Sequence, residues 1–294
     1  MKIKQNANDF IFDIFLNIMG ALIILVVLYP LIFVLSASFS DPDMVLHGKV
    51  VLFPKGFTLE PYKMVFDNDK IWNGYLNTLF YTVAGTFINI VLTVAAAYPL
   101  SRKDMPGRRI LTIVIIFTMY FNGGLIPTYL LVRDLGMNNT IWAILIPGAI
   151  STYNLIVART FFESSIPHEI YESAMLDGCS NIRMLTSIVL PLSSAILAVL
   201  VLYYGVAHWN SYFPALVYLR DEKLFPLQII LRDILLLGQT EQMGTNDVGM
   251  GEKIKMAEGI KYSVIVISSV PVLLLYPFAQ KYFVKGVMIG AVKG

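Results

Sequence analysis

The chain has 294 residues, 56% hydrophobic and only 14% charged, with a mean hydropathy of +0.68 and a formal net charge of +2. Soluble domains carry about 25% charged residues, so this composition belongs in lipid. The near-neutral charge gives no argument for a nucleic-acid partner, the single Cys179 excludes an internal disulfide, and His47, His168 and His208 lie too far apart for a metal site.

A bilayer core takes about 20 apolar residues per helix. The first uncharged run, 14–40, follows Lys2 and Lys4, and 36–38 (Ser-Ala-Ser) looks like a signal-cleavage site. Its length exceeds the roughly 7–15 residues of a signal-peptide core, so it is read as an uncleaved span. Residues 41–72 carry Pro42, Pro54, Gly56 and Pro61 among scattered charges and predict turns and short helices outside the membrane. Further spans are predicted at 73–101, 110–132, 135–158, 184–208 and 262–280. The fifth uncharged run extends to 219, long enough for two short helices and hence seven spans. Six is preferred, because Trp209-Asn210-Ser211-Tyr212 and Pro214 interrupt its second half without a polar turn between two full spans. Residues 220–261 form a second outer segment. Its apolar stretch 224–237 is broken by Pro226, Arg232 and Asp233, and 238–251 is Gly-, Thr- and Asn-rich and expected to be mobile. The expected fold is therefore all-α, a single polytopic domain over 1–294.

Arg102, Lys103, Arg108 and Arg109 crowd one short loop, and Lys281, Lys285 and Lys293 follow the last span. Short loops weigh most in the positive-inside rule, which puts both termini and the loop 159–183 in the cytoplasm of a multi-pass cell-membrane protein. In that loop Pro167 suits a first helical turn, and Glu169 and Glu172 suit the positive end of the helix dipole. Tyr171, Ala174, Met175 and Gly178 fall on one stripe at helical spacing, and Gly178 is placed to end the helix in the left-handed conformation. Interfacial helices that lie on lipid usually carry Lys and Arg, whereas this one is acidic, which favours a protein partner.

The segment reads Glu172-Ser173-Ala174-Met175-Leu176-Asp177-Gly178, then nine residues, then Ile188-Val189-Leu190-Pro191. It resembles the EAA loop of ABC-importer permeases, with Ser173 in place of one Ala. Two further segments, Phe121-Asn122-Gly123-Gly124-Leu125-Ile126-Pro127-Thr128-Tyr129 and Trp209-Asn210-Ser211-Tyr212-Phe213-Pro214, look like the carbohydrate-type permeases related to the maltose importer. Within that resemblance they look closest to a branch serving oligosaccharides. The likeness runs over nearly the whole chain, including the tail from Val287 to Gly294. It implies the type I importer permease fold with a cytoplasmic coupling helix. It also implies a second homologous permease, two ATPase subunits that bind Mg-ATP, and an extracytoplasmic solute-binding protein. By the same resemblance Glu172, Ser173, Ala174, Asp177 and Gly178 contact the ATPase, with Ala174 and Gly178 in close packing and Glu172 and Asp177 in polar contacts.

The chain has no Gly-x-x-x-x-Gly-Lys-[Ser/Thr], so it does not itself cradle ATP phosphates in the P-loop manner. The six spans lack Asp, Glu, Lys and Arg, which argues against an ion-coupled transporter. No catalytic residue, bound cofactor or metal is expected in this chain. The polar residues within the runs are neutral, apart from His208, and include Asn89, Tyr153, Asn154 and Tyr203. An Asn/Tyr/Trp lining suits sugars, and Asn77, Tyr81, Asn122, Tyr204, Trp209 and Asn210 are taken as the substrate pathway. The same residue types also gather at membrane interfaces and between helices. The alternatives are a permease for a peptide or polyamine, which the EAA-like loop does not separate from a sugar permease, and a polytopic membrane enzyme, which needs an acidic, His or Cys cluster at a membrane face; the acidic cytoplasmic loop is the only candidate, and it lacks His/Asp metal spacing.

Overall fold

The computed structural model describes residues 7–242, 255, 257–274 and 277, and every regular element among them is helical. The span 262–280 lies partly outside this range. The basic tail 281–294, including Val287 to Gly294, and residues 243–251 of the expected mobile stretch lie outside it. Two compact units divide the chain: Met1–Asp69 with Leu231–Val270, and Lys70–Ile230 with Pro271–Gly294.

In the first unit, α1 (Ala7–Ser38) is apolar on all sides and leaves its spanning window unburied, as a lipid-facing helix does. Its end is different. Ser36, Ala37, Ser38 and Ser40 are buried, Ser36 Oγ donates to Leu52 O at 2.6 Å, and Ser38 Oγ lies 2.9 Å from Tyr62 Oη. The small residues that look like a cleavage site are there because a loop packs on them. Phe39 stacks between Phe57 and Tyr62. The proline-marked segment after α1 forms α2 (Pro42–Leu46) and α3 (Glu60–Phe66). The helix Ala257–Leu274 contributes Gly259 to this unit, where an added Cβ would lie 3.0 Å from Pro42 Cγ and 3.3 Å from Pro61 Cγ.

The second unit is organised on α4 (Asp69–Ser101), a single long span. The predicted run 110–132 is not one helix. It is α5 (Arg108–Tyr120) and α6 (Leu125–Asp134), bent by 113° at Phe121-Asn122-Gly123-Gly124. Asn122 Oδ1 accepts from Gly124 N at 2.9 Å, and Gly124 sits at φ +90°, so the side chain stabilises the break that the glycines permit. The run 135–158 is likewise broken, into α7 (Trp142–Leu145), an irregular stretch with Pro147 and Gly148, and α8 (Thr152–Ser165). Exposed carbonyls are costly at membrane depth unless partnered. Here Asn89 Nδ2 donates to Gly148 O (3.1 Å) and Ala149 O (2.9 Å). The coupling-loop helix is α9 (His168–Leu176). The run 184–208 becomes a bent pair. Its first arm comprises α10 (Asn181–Met184), a π-helical turn at Leu185–Val189 and α11 (Leu190–Leu192). Its second arm is α12 (Ser194–Trp209), at 83° to the first. After α13 (Phe213–Tyr218), α14 (Leu227–Gln242) starts against α4. Gly74 makes that approach possible, since a Cβ there would lie 2.3 Å from Ile230 Cδ1 and 3.3 Å from Leu227 Cα. Among the described residues three helices are long and apolar enough to cross a bilayer alone, or five if each bent pair counts as one crossing.

Candidate functional site

Two regions of the second unit carry the chemistry. The first is α9 and its seat. Pro167 stands at the N-cap and Glu169 in the first turn. At the other end Gly178 adopts φ +70°, Gly178 N donates to Met175 O (3.0 Å) and Cys179 N to Ala174 O (2.9 Å). This pair of bonds is the Schellman arrangement, which satisfies carbonyls that a helix end otherwise leaves open. Among the described residues no heavy atom beyond its chain neighbours lies within 4 Å of where a Gly178 Cβ would stand, so the glycine is required there by its backbone angle rather than by crowding.

The inner face of α9 is held by its own chain. Tyr171 and Ala174 are buried in a cluster with Tyr98 and Leu100 of α4 and Ala158 and Phe162 of α8. Ala174 is therefore turned inward within this chain. Arg102 closes the seat. Its guanidinium carbon stands 4.9 Å from the Tyr171 ring centroid, Nη2 approaches Met175 Sδ at 3.9 Å, and Nε and Nη2 donate to the two Asp104 carboxylate oxygens at 2.8 and 2.7 Å. The bond to Asp104 raises the Arg102 pKa above its usual value, and burial raises that of the Tyr171 hydroxyl. Arg108 and Arg159 both bind Glu163, and Arg159 Nε also donates to Leu100 O at 3.0 Å. Glu172, Ser173, Asp177 and Gly178 lie on the outer side. So do three apolar side chains: Met175, which the stripe at helical spacing groups with Tyr171 and Ala174, is 51% exposed, and Leu176 and Ile182, to which it assigns no role, are 89% and 77% exposed. A large apolar residue just before the Gly stop was the available signal.

The second region is a cavity of about 420 Å³ between α4, the stretch 143–154, α12 and α13. Its walls include Asn89, Ser151, Asn154, Tyr203, Tyr204 and His208, with no Asp, Glu, Lys or Arg among the described residues. Asn89 is 1% exposed, and His208 Nε2 lies 2.8 Å from its Oδ1. The imidazole fits because Gly85 has no Cβ, which would stand 2.4 Å from His208 Nε2.

Of the six residues taken as the pathway, Tyr204 alone lines this cavity. Its hydroxyl bonds Thr93 Oγ1 (2.7 Å) and accepts from Ser151 N (3.2 Å). The others engage the fold. Asn77 Nδ2 donates to Lys223 O and Phe225 O, and Tyr81 Oη to Leu224 O. Asn122 caps the α5–α6 bend. Trp209 is buried edge-to-face with Tyr75, and Asn210 Nδ2 bonds Val206 O at 3.0 Å as the α12 C-cap. Broken helices release backbone groups, and nearby amides and hydroxyls are recruited to satisfy them. The cavity residues Asn154, Tyr203 and His208 are among the neutral and titratable polar groups visible in the sequence. Only the fold distinguishes them from the rest.

No family model matches the chain. It is 41% identical over 270 residues to the polygalacturonan/rhamnogalacturonan transport system permease protein YtcP of Bacillus subtilis (strain 168), covering 92% of this chain and 94% of that one. It is 40% identical over 288 residues to the protein LplC of the same organism, covering 97% and 95%. A chain from the crystal structure of a bacterial ABC transporter involved in the import of the acidic polysaccharide alginate superposes with a TM-score of 0.88 at 34% identity, covering 96% of this chain and all of the other. Together with the bent spans and the ordered helix of the EAA-like loop, these likenesses place the chain in the carbohydrate-type permeases of the ABC importers.

Proposed function

We propose that this permease takes an oligosaccharide from an extracytoplasmic binding protein and passes it across the cell membrane, powered by two separate ATPase subunits that bind Mg-ATP. A second, homologous permease completes the pore. Both termini and α9 face the cytoplasm, residues 41–72 and 220–261 face outward, and each bent pair makes one crossing. The observation that carries the reading is the outer face of α9. An ordered, acidic helix is seated on the membrane unit, yet its tip presents Met175 and Leu176 to water, with Ile182 of α10 exposed beyond the Gly178 stop. Clustered apolar side chains on a loop outside the membrane are the mark of a surface that a partner covers. Glu172, Ser173, Asp177 and Gly178 surround that apolar tip and supply its polar rim. The sugar assignment rests on the permease relatives and on the neutral, aromatic-walled cavity.

Purification of the complex without crosslinking tests the class: a second permease and an ATPase are expected to co-elute. Stimulation of ATP hydrolysis by binding proteins loaded with oligosaccharide, peptide or polyamine tests the cargo, and only the first is expected to act. In a Cys179→Ser background, Lys55→Cys and Asp177→Cys are expected to label from opposite sides of the membrane. Labelling of both from outside sinks the topology.

A further inference from the structure

The cavity contains polar groups that the fold leaves unused. Asn154 is 6% exposed, yet its side-chain amide has no partner among the described residues and borders the open volume. Only its backbone N–H is engaged, as a donor to Ser151 Oγ. A buried, unpaired amide is destabilising unless something else satisfies it. His208 adds a second such group. Asn89 Nδ2 gives its two hydrogens to Gly148 O and Ala149 O, so Oδ1 is the atom that faces the imidazole. Carbonyls only accept, which fixes the orientation of the amide and makes His208 Nε2 the proton-bearing nitrogen. In the neutral ring Nδ1 is then an acceptor, and it has no partner among the described residues. Ser211 adds an unengaged hydroxyl, and Tyr203 and Phe213 add partly exposed rings to the same wall.

We propose that this cavity is a binding subsite for one uncharged glycosyl unit of the transported chain, with Asn154 and His208 Nδ1 as its hydrogen-bonding groups. Sugar hydroxyls both donate and accept, so they satisfy an amide and a ring-nitrogen acceptor together, and the C–H face of a pyranose suits the aromatic rings. A uronate is refused, because its carboxylate meets an Nδ1 lone pair in a cavity whose described lining holds no Lys or Arg, and burying an unpaired charge is far costlier than burying a hydroxyl. The volume is in the range of small-molecule sites. The subsite rests on the oligosaccharide reading above and makes it specific: this subunit selects neutral units even where relatives are named for acidic polysaccharides.

The assembled importer carrying Cys179→Ser and Val217→Cys, a wall position with no hydrogen-bonding role, tests the subsite by the rate of modification with a small methanethiosulfonate reagent, in the presence of neutral galactotriose or of trigalacturonate. Galactotriose is expected to slow labelling severalfold and trigalacturonate to leave it unchanged. Ser211→Cys gives the same readout if the first variant does not assemble. Uptake of galactotriose by Asn154→Leu and by His208→Phe is expected to fall by about tenfold or more, the loss typical of a site built around hydrogen bonds. Equal protection by both sugars overturns the neutral subsite. So does an absence of protection, or undiminished uptake in both variants, in an importer that transports galactotriose. An importer that transports no saccharide but is stimulated by a peptide-loaded binding protein removes the oligosaccharide reading itself, and the subsite with it.

Discussion

Gly178 separates a conformational requirement from a packing requirement. The backbone at φ +70° is open to glycine without penalty, while an L-residue with a Cβ meets about 1–2 kcal/mol of strain there. Among the described residues nothing lies within 4 Å of the added Cβ, so the expected cost of Gly178→Ala is that strain. The expected response is loss of the bonds from Gly178 N to Met175 O and from Cys179 N to Ala174 O, with the last turn of α9 unwinding. At about 1.4 kcal/mol per factor of ten, the ordered helix end becomes roughly 5–30-fold less populated relative to its frayed form. Asn tolerates the left-handed region better than Ala although it is larger. If helix termination governs docking, ATPase retention and sugar transported per ATP rank Gly above Asn above Ala. If the residue is instead small because the ATPase presses on it, Asn falls below Ala. Retention of purified ATPase on immobilised permease, with the three variants side by side, decides between these rankings. The order Gly, Ala, Asn, or equal behaviour of all three, refutes the conformational argument.

Leu176→Glu, at the most exposed apolar side chain of α9, is expected to weaken ATPase retention by about tenfold or more while the permease pair still assembles. Unchanged retention places the docking surface elsewhere. Arg102→Lys keeps the charge but loses the two-pronged bond to Asp104 and the planar contact with Tyr171. It is expected to lower transport per ATP hydrolysed about as far as Arg102→Gln does, and wild-type coupling in the lysine variant counts against Arg102 as the clamp of the seat. Asn89→Leu strips partners from Gly148 O, Ala149 O and His208 Nε2, with a cost of roughly 1–3 kcal/mol for each group left buried and unpaired. Its thermal aggregation midpoint in detergent is expected to fall well below that of Asn210→Ala, which loses only an exposed bond to Val206 O. Equal midpoints contradict the structural role given to Asn89.

The sequence by itself determined what depends on composition and on short-range geometry. Long uncharged runs specify apolar helices wherever water is absent, because a backbone in lipid has to satisfy its own hydrogen bonds. Pro167 and Gly178 bound α9 because φ preferences act within one or two residues. The Glu172–Gly178 pattern with its downstream Ile188-Val189-Leu190-Pro191 carried the family. Tertiary structure decided the rest. The runs 110–132, 135–158 and 184–208 hold no charge to mark a break. They break at or beside glycine, proline or asparagine, and at 148 and 149 the freed carbonyls accept from Asn89, 59 and 60 residues away. The same long-range pairing sorted the intramembrane polar residues. Asn77, Tyr81 and Asn210 have backbone within reach and are spent on it, whereas Asn154 and His208 border a cavity with groups to spare. For the asparagines the residue type is the same in both cases, and only the distance to a partner, fixed by how the helices pack, tells an amide bonded within the fold from one with no partner among the described residues.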